Sequence, residues 1–154
     1  MYDVALHAHS WLRWLALLVG LAAVARAFSG RSSRRPWTKG DDRLGASFTG
    51  LLDLQLLLGL VMYFALSPIT KEGMRDMGAA MANTGLRFWT VEHPFGMFLA
   101  IAVAHIGRGR IRKTSDAVRR HRTALVFFTI ALILIVISIP WPGRAIIGRP
   151  LFRM

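Results

Sequence analysis

The sequence predicts an all-α protein, an integral membrane four-helix bundle forming a single transmembrane domain over residues 1–154. Both termini are expected outside, with a short amphipathic outer helix between spans two and three. Three observations lead there. Apolar residues make up 54% of the 154, and they gather in four runs of about 20 residues, the length a helix needs to cross ~30 Å of hydrocarbon. The charges lie between the runs, with six basic residues in Arg26–Arg43, seven in Arg108–Arg122, and only Lys71, Arg75 and Arg87 in the connection between spans two and three. Basic connections stay on the cytoplasmic side, which sets the orientation. The net charge of +12 therefore reads as topology and contact with lipid headgroups, and nucleic acid is not an expected partner. Finally, the run from Leu86 to Arg108 carries Glu92, His93 and His105. A charge at the centre of a spanning helix costs roughly 2.5–3.5 kcal/mol on insertion scales, so such residues mark functional sites facing a bundle interior.

Span one covers about residues 4–28 and ends before Gly30, a Ser-Arg cluster and Pro36. Its opening, MYDVALHAHS, lacks the basic start of a cleavable signal, so the helix is expected to stay as an anchor. His9 falls ~7 Å below the outer end and Arg13 ~13 Å, one turn apart on the same face. Arg13 either snorkels to the headgroups or neutralises an anion inside the bundle.

Span two covers about 44–66 and stops at Ser67-Pro68, because a residue before proline disfavours helix. Asp53 and Gln55 lie near its middle. Asp53 is expected to be protonated and hydrogen-bonded, paired with Arg13, or part of a proton path; Gln55 reads as interhelical glue. The outer connection that follows spaces Met74, Met77 and Met81 by three and four residues. Thioethers suit Cu(I), but the row reads first as the apolar face of a short surface helix.

Span three covers about 87–107. Pro94 is either tolerated in the first turns or introduces a kink. His93 lies ~8 Å below the outer end and His105 ~18 Å deeper, near the cytoplasmic side. Span four, about 123–139, is nearly all aliphatic and reads as a lipid-facing wall; His121 stands at its inner boundary. Trp11, Trp14, Trp37, Trp89 and Trp141 fall near the expected interfaces, as an aromatic belt does.

Counted by depth, the histidines form two layers, His9 with His93 near the outer face and His105 with His121 near the inner one. Two layers of imidazoles on facing helices are what two stacked b-type haems need, with Arg13 and Arg87 balancing propionates. The absence of cysteine excludes thiolate-ligated haem, Cys-held clusters and covalent haem attachment. Glu92 is placed to orient the imidazole of His93 or to take a proton.

The stretches HSWLRWLALL, RPWTKGDDRL, LQLLLGLVMYF, MGAAMANTGLRFWTVEHP, HIGRGR and IPWPG resemble, over nearly the whole chain, a group of small bacterial four-helix membrane proteins labelled cytochrome b-like. That resemblance implies a bacterial cytoplasmic (inner) membrane protein that binds haem b between helices, with His9, His93, His105 and His121 in the matching motifs. Its relatives can carry histidine where this chain has Asp53. A single outer haem on His9 and His93 is then the safer expectation, with a second as the extension. The function expected is an electron carrier or redox subunit rather than a stand-alone enzyme. Its partners would be a quinone or a redox protein, either as a homo-oligomer or within a larger complex. The alternative is a non-catalytic accessory or assembly subunit whose polar residues pair helices; proton or metal-ion transport through Asp53, Glu92 and His93 is a third reading. No phosphate-binding loop, nucleophile elbow or HExxH stands in the chain.

Overall fold

The computed structural model describes residues 1–150. Those residues form an all-helical chain: α1 (Tyr2–Ser32), α2 (Lys39–Val61), α3 (Pro68–Arg75), α4 (Met77–Ala82), α5 (Thr84–Arg87), α6 (His93–Arg112) and α7 (Ala117–Ser138). Two five-residue π-helical turns, Met62–Leu66 and Phe88–Glu92, continue α2 and lead into α6. Three helical stretches, Tyr2–Ser32, Lys39–Leu66 and Ala117–Ser138, are long and apolar enough to cross a membrane. The sequence expectation of a third span over 87–107 meets a different construction: a short α-turn, a π-turn and then α6, whose last turn carries Arg110 and Arg112. The single outer helix expected between spans is three short ones. Ser67, Asp76 and Asn83 each cap a new start by accepting a backbone N–H, from Thr70, Ala79 and Leu86 respectively.

The four long helices touch in the closed order α1, α2, α6, α7 and back to α1. What lets them approach is small residues inside: Ala16, Ala23 and Ala27 on α1, Ala100 and Ala104 on α6, Ala124 and Ala131 on α7. A methyl added at Gly20 would lie 2.6 Å from the ring of Phe48, and one at Gly107 2.4 Å from Phe127 Cβ. Phe48 and Phe128, both fully buried, meet edge to face at 5.4 Å in the centre. Outside stand Leu18, Leu21, Leu57, Phe98 and Ile137. Small residues inside and large apolar residues outside is the arrangement that helices use in lipid, where close backbone packing replaces the hydrophobic drive. The aliphatic α7 packs one face on α6 and α1, supplying Phe128, Ala131, Leu132 and Ile135 to the core, and leaves Ile130, Ile133 and Ile137 exposed on the other.

The end of the bundle where α2 and α7 begin is stapled by acids. After α1, Arg34 takes a left-handed φ of 51° and the N–H of Arg35 returns to the Gly30 carbonyl, a helix-ending motif that reverses the chain. Thr38 and Asp41 then form a reciprocal capping box on α2. The buried Asp41 carboxylate also accepts from Arg26 Nε at 3.0 Å and Arg35 Nη2 at 2.6 Å. Its neighbour Asp42 takes Arg108 of α6 in two hydrogen bonds, 2.7 and 3.1 Å. The basic loops are therefore also ties between helices.

Candidate functional site

Two proline-directed breaks build the opposite end of the bundle, where α1 begins. Pro94 has no N–H, so the carbonyl of Thr90, four residues earlier, loses its helical donor; the hydroxyl of Tyr63 donates to it instead at 2.9 Å. Across the bundle, Pro68 stops α2 and its π-turn closes with Ser67 N–H on the Met62 carbonyl at 2.7 Å. The freed Tyr63 carbonyl accepts from Thr70 Oγ1 at 2.7 Å. The two π-turns, a feature common at functional sites, are thus joined through Tyr63. Pro94 itself sits in the first turn of α6, where proline is tolerated.

A third proline, Pro140, follows the end of α7 at Ser138. The last carbonyls of a helix have no internal partner, and that of Ser138 accepts from Nδ1–H of His93 at 2.9 Å. Gly96 permits this: a methyl there would lie 2.2 Å from Ser138 Oγ. With Nδ1 donating, Nε2 of His93 is left as the lone-pair nitrogen. Phe88 and Trp89 pack around the ring with centroids at 5.8 and 5.7 Å.

Facing His93 across the bundle is His9 of α1, with ring centroids 6.4 Å apart. Gln55 of α2 donates to the His9 backbone carbonyl at 3.0 Å, the interhelical glue expected of it. Nδ1 of His9 and Oε1 of Gln55 are buried and have no hydrogen-bond partner among the described residues. Both histidines line a cavity of about 410 Å³ with largely apolar walls, which Arg13, Tyr63 and Arg149 also line. Arg149, stacked on Trp89 at 5.3 Å, comes from the segment after α7. That is a site residue that nothing in the sequence pattern marked.

Other expected site residues lie elsewhere. Glu92 does not orient His93; it pairs with Arg87 at 2.7 Å, and neither lines the cavity. Helical spacing explains this, since the residue before His93 points to a different face. Asp53 pairs with His105, not Arg13: Nε2–H of His105 donates to its Oδ1 at 2.7 Å. The inner histidine layer does not form. Gly96 lies against Ser138 and Gly107 against Phe127, a register that sets position 105 level with about position 129, ~12 Å along the helix from His121. His121 is instead fully buried beside Trp37, with ring centroids 4.9 Å apart. A methyl on Gly30 would lie 2.3 Å from its ring.

Fold and site together define a helical chain of membrane-length helices with a facing histidine pair opening on an apolar cavity. No protein-family model, curated protein or solved structure matches it. Among the described residues no third His, Cys, Asp or Glu joins the pair as a metal-holding group.

Proposed function

We propose that this chain is a b-type cytochrome-like electron-transfer protein of the bacterial cytoplasmic membrane. In this reading it is a four-helix bundle with both termini outside, binding one haem b between α1 and α6 through His9 and His93. The observation that carries the reading is the separation of those two rings. With metal–nitrogen bonds of ~2.0–2.1 Å and each nitrogen ~1.1 Å from its ring centre, two imidazoles sharing one metal can have centres up to ~6.3 Å apart, and the 6.4 Å here stands at that limit. Two imidazoles without further protein ligands suit a group that brings its own equatorial donors. The orphaned Nδ1 of His9 and the cavity of about 410 Å³ fit such a group.

The chain's own residues have definite tasks in this reading. The Ser138 carbonyl holds His93 in one tautomer and one orientation, as partners beyond the ligand shell do. Arg13 and Arg149, whose side chains line the cavity, supply positive charge for carboxylates, and the apolar walls exclude water. When bound, haem supplies one-electron chemistry, to be exchanged with a quinone or a redox protein at the outer side. The basic loops, on the cytoplasmic side, contact anionic lipid.

The test is the visible spectrum of protein made in a haem-replete host, oxidised and dithionite-reduced. A Soret band that shifts and an alpha band that sharpens on reduction are expected. His93→Ala and His9→Ala should lose them, whereas His105→Ala and His121→Ala should keep them. A folded, colourless protein would refute the assignment and turn the reading to an accessory subunit.

A further inference from the structure

We infer that the face of α2 and α6 carrying Asp53 and His105 is covered by a second copy of this chain, related by a two-fold axis along the membrane normal. The inference rests on the reading that these helices cross a bilayer and is independent of haem. Asp53 is the fifteenth residue of the 28-residue helical stretch Lys39–Leu66, which is mid-membrane. Its side chain is 50% exposed and that of His105 46%. The surface around them is apolar: Leu54, Leu57, Phe98 and Ile106 are all more than half exposed. An ionisable pair facing lipid at that depth is disfavoured, and such residues are found facing protein or water.

The chemistry of the pair favours a second copy over an unrelated helix. One hydrogen bond joins them, so a carboxylate oxygen of Asp53 and the second ring nitrogen of His105 are still available to a partner. An unrelated helix would have to bring the complement of both at the same depth. A two-fold axis along the membrane normal does so automatically, because an isologous contact sets residue 53 of each copy against residue 105 of the other. A ring protonated at both nitrogens can then donate Nε2–H to its own Asp53 and Nδ1–H to the carboxylate of the other copy. The backbone also leaves room. Gly50 and Gly109 lie one turn from Asp53 and His105, both toward the cytoplasmic side, and a methyl on either meets no atom within 4 Å. Small residues at such a place allow helices to approach closely in lipid.

The natural chain has no cysteine, so a single introduced one reports its own neighbourhood. Gly50→Cys and Gly109→Cys would be oxidised with copper-phenanthroline in native membranes, with Leu21→Cys on α1 and Ile133→Cys on α7, both on exposed faces, as controls. The expected result is a homodimer band at least tenfold stronger for the two glycine sites than for the controls. Adding Asp53→Leu to Gly50→Cys should weaken that band at least tenfold, with the protein still resisting carbonate extraction. Equal cross-linking at all four sites, a cross-link to a protein of another mass, or indifference to Asp53→Leu would overturn the dimer. Release by carbonate would overturn the membrane reading and the dimer with it. The absorbance of the His9–His93 site, read on the same membranes, reports separately on haem.

Discussion

Replacing Gly96 by alanine tests the link between helix packing and the histidine site. The added methyl would stand 2.2 Å from Ser138 Oγ and 3.2 Å from its Cβ, where ordinary contact begins near 3.4 Å. Rotation of the hydroxyl cannot relieve the second contact, so α6 and α7 must part at this point. The Cβ contact alone asks for a few tenths of an ångström, and the Oγ contact, with the hydroxyl left in place, for about 1 Å, which would stretch the His93–Ser138 hydrogen bond from 2.9 Å beyond bonding range. Overpacking of this kind costs about 1–3 kcal/mol, and the lost hydrogen bond about 0.5–1.5 kcal/mol. The variant should therefore unfold at a lower temperature. If the proposed haem is bound, its midpoint potential should rise by ~20–65 mV, because an imidazole without its acceptor is less basic and supports the oxidised metal less. Thermal unfolding followed at the Soret band and a redox titration measure both. Ser138→Ala removes the clashing oxygen but keeps the backbone carbonyl, so the double variant should recover most of both losses. If Gly96→Ala shifts the potential and Ser138→Ala does not restore it, the clash is not the route by which α7 positions His93.

Three further substitutions probe the rest of the frame. Tyr63→Phe takes the donor from the Thr90 carbonyl that Pro94 leaves open, and an unsatisfied buried carbonyl should lower stability by about 1–3 kcal/mol in a denaturant titration. Asp41→Asn keeps the shape of the capping residue but removes the charge held by Arg26 and Arg35; charge-assisted bonds of this kind predict a loss of about 1.5–3 kcal/mol, read as a lower thermal midpoint with the haem spectrum unchanged. Gly30→Ala drives a methyl to 2.3 Å from the fully buried His121 ring, and a loss of about 1–3 kcal/mol is expected. Combining it with His121→Ala should recover part of that loss, and a double variant no better than the single one would place the damage elsewhere.

What could be seen in the sequence follows from what hydropathy and helical depth encode. Residues 4–28 and 44–66 fall inside two of the three stretches long and apolar enough to cross a membrane, and 123–139 overruns the third by one residue, because apolar run length is written directly in composition. The nearness of His9 and His93 is legible as well, since both lie within about two turns of the same end of the expected spans and the helices run in opposite directions. The inner pair failed because depth counted from span ends ignores register, and register here is decided by Gly96 and Gly107, where close contact is allowed. Glu92 was placed at the site by adjacency to His93, which a helix does not honour. The acceptor that orients His93 is a backbone carbonyl, which any residue at position 138 would offer, so no side-chain pattern can announce it. One signal did exist: each of Pro68, Pro94 and Pro140 ends or interrupts a helix near the same end of the bundle, and a missing N–H implies an open carbonyl nearby that something must satisfy or use.

The polar residues of the bundle divide by level. At the end where α2 begins, Asp41 and Asp42 bind arginines from α1, its following loop and α6, which joins the helices there. In the middle the Asp53–His105 pair points outward and leaves the core to Phe48, Phe128 and alanine. At the opposite end the prolines prevent regular helix from consuming its own carbonyls, and the hydroxyls of Tyr63 and Thr70 take up some of them. The Ser138 carbonyl is left to fix a histidine. A ring held at one nitrogen, facing a second ring whose own Nδ1 is still unsatisfied, both lining an apolar cavity, is the arrangement on which the proposed haem site rests; His121, whose ring nitrogens are unsatisfied too, has no such partner ring or cavity beside it.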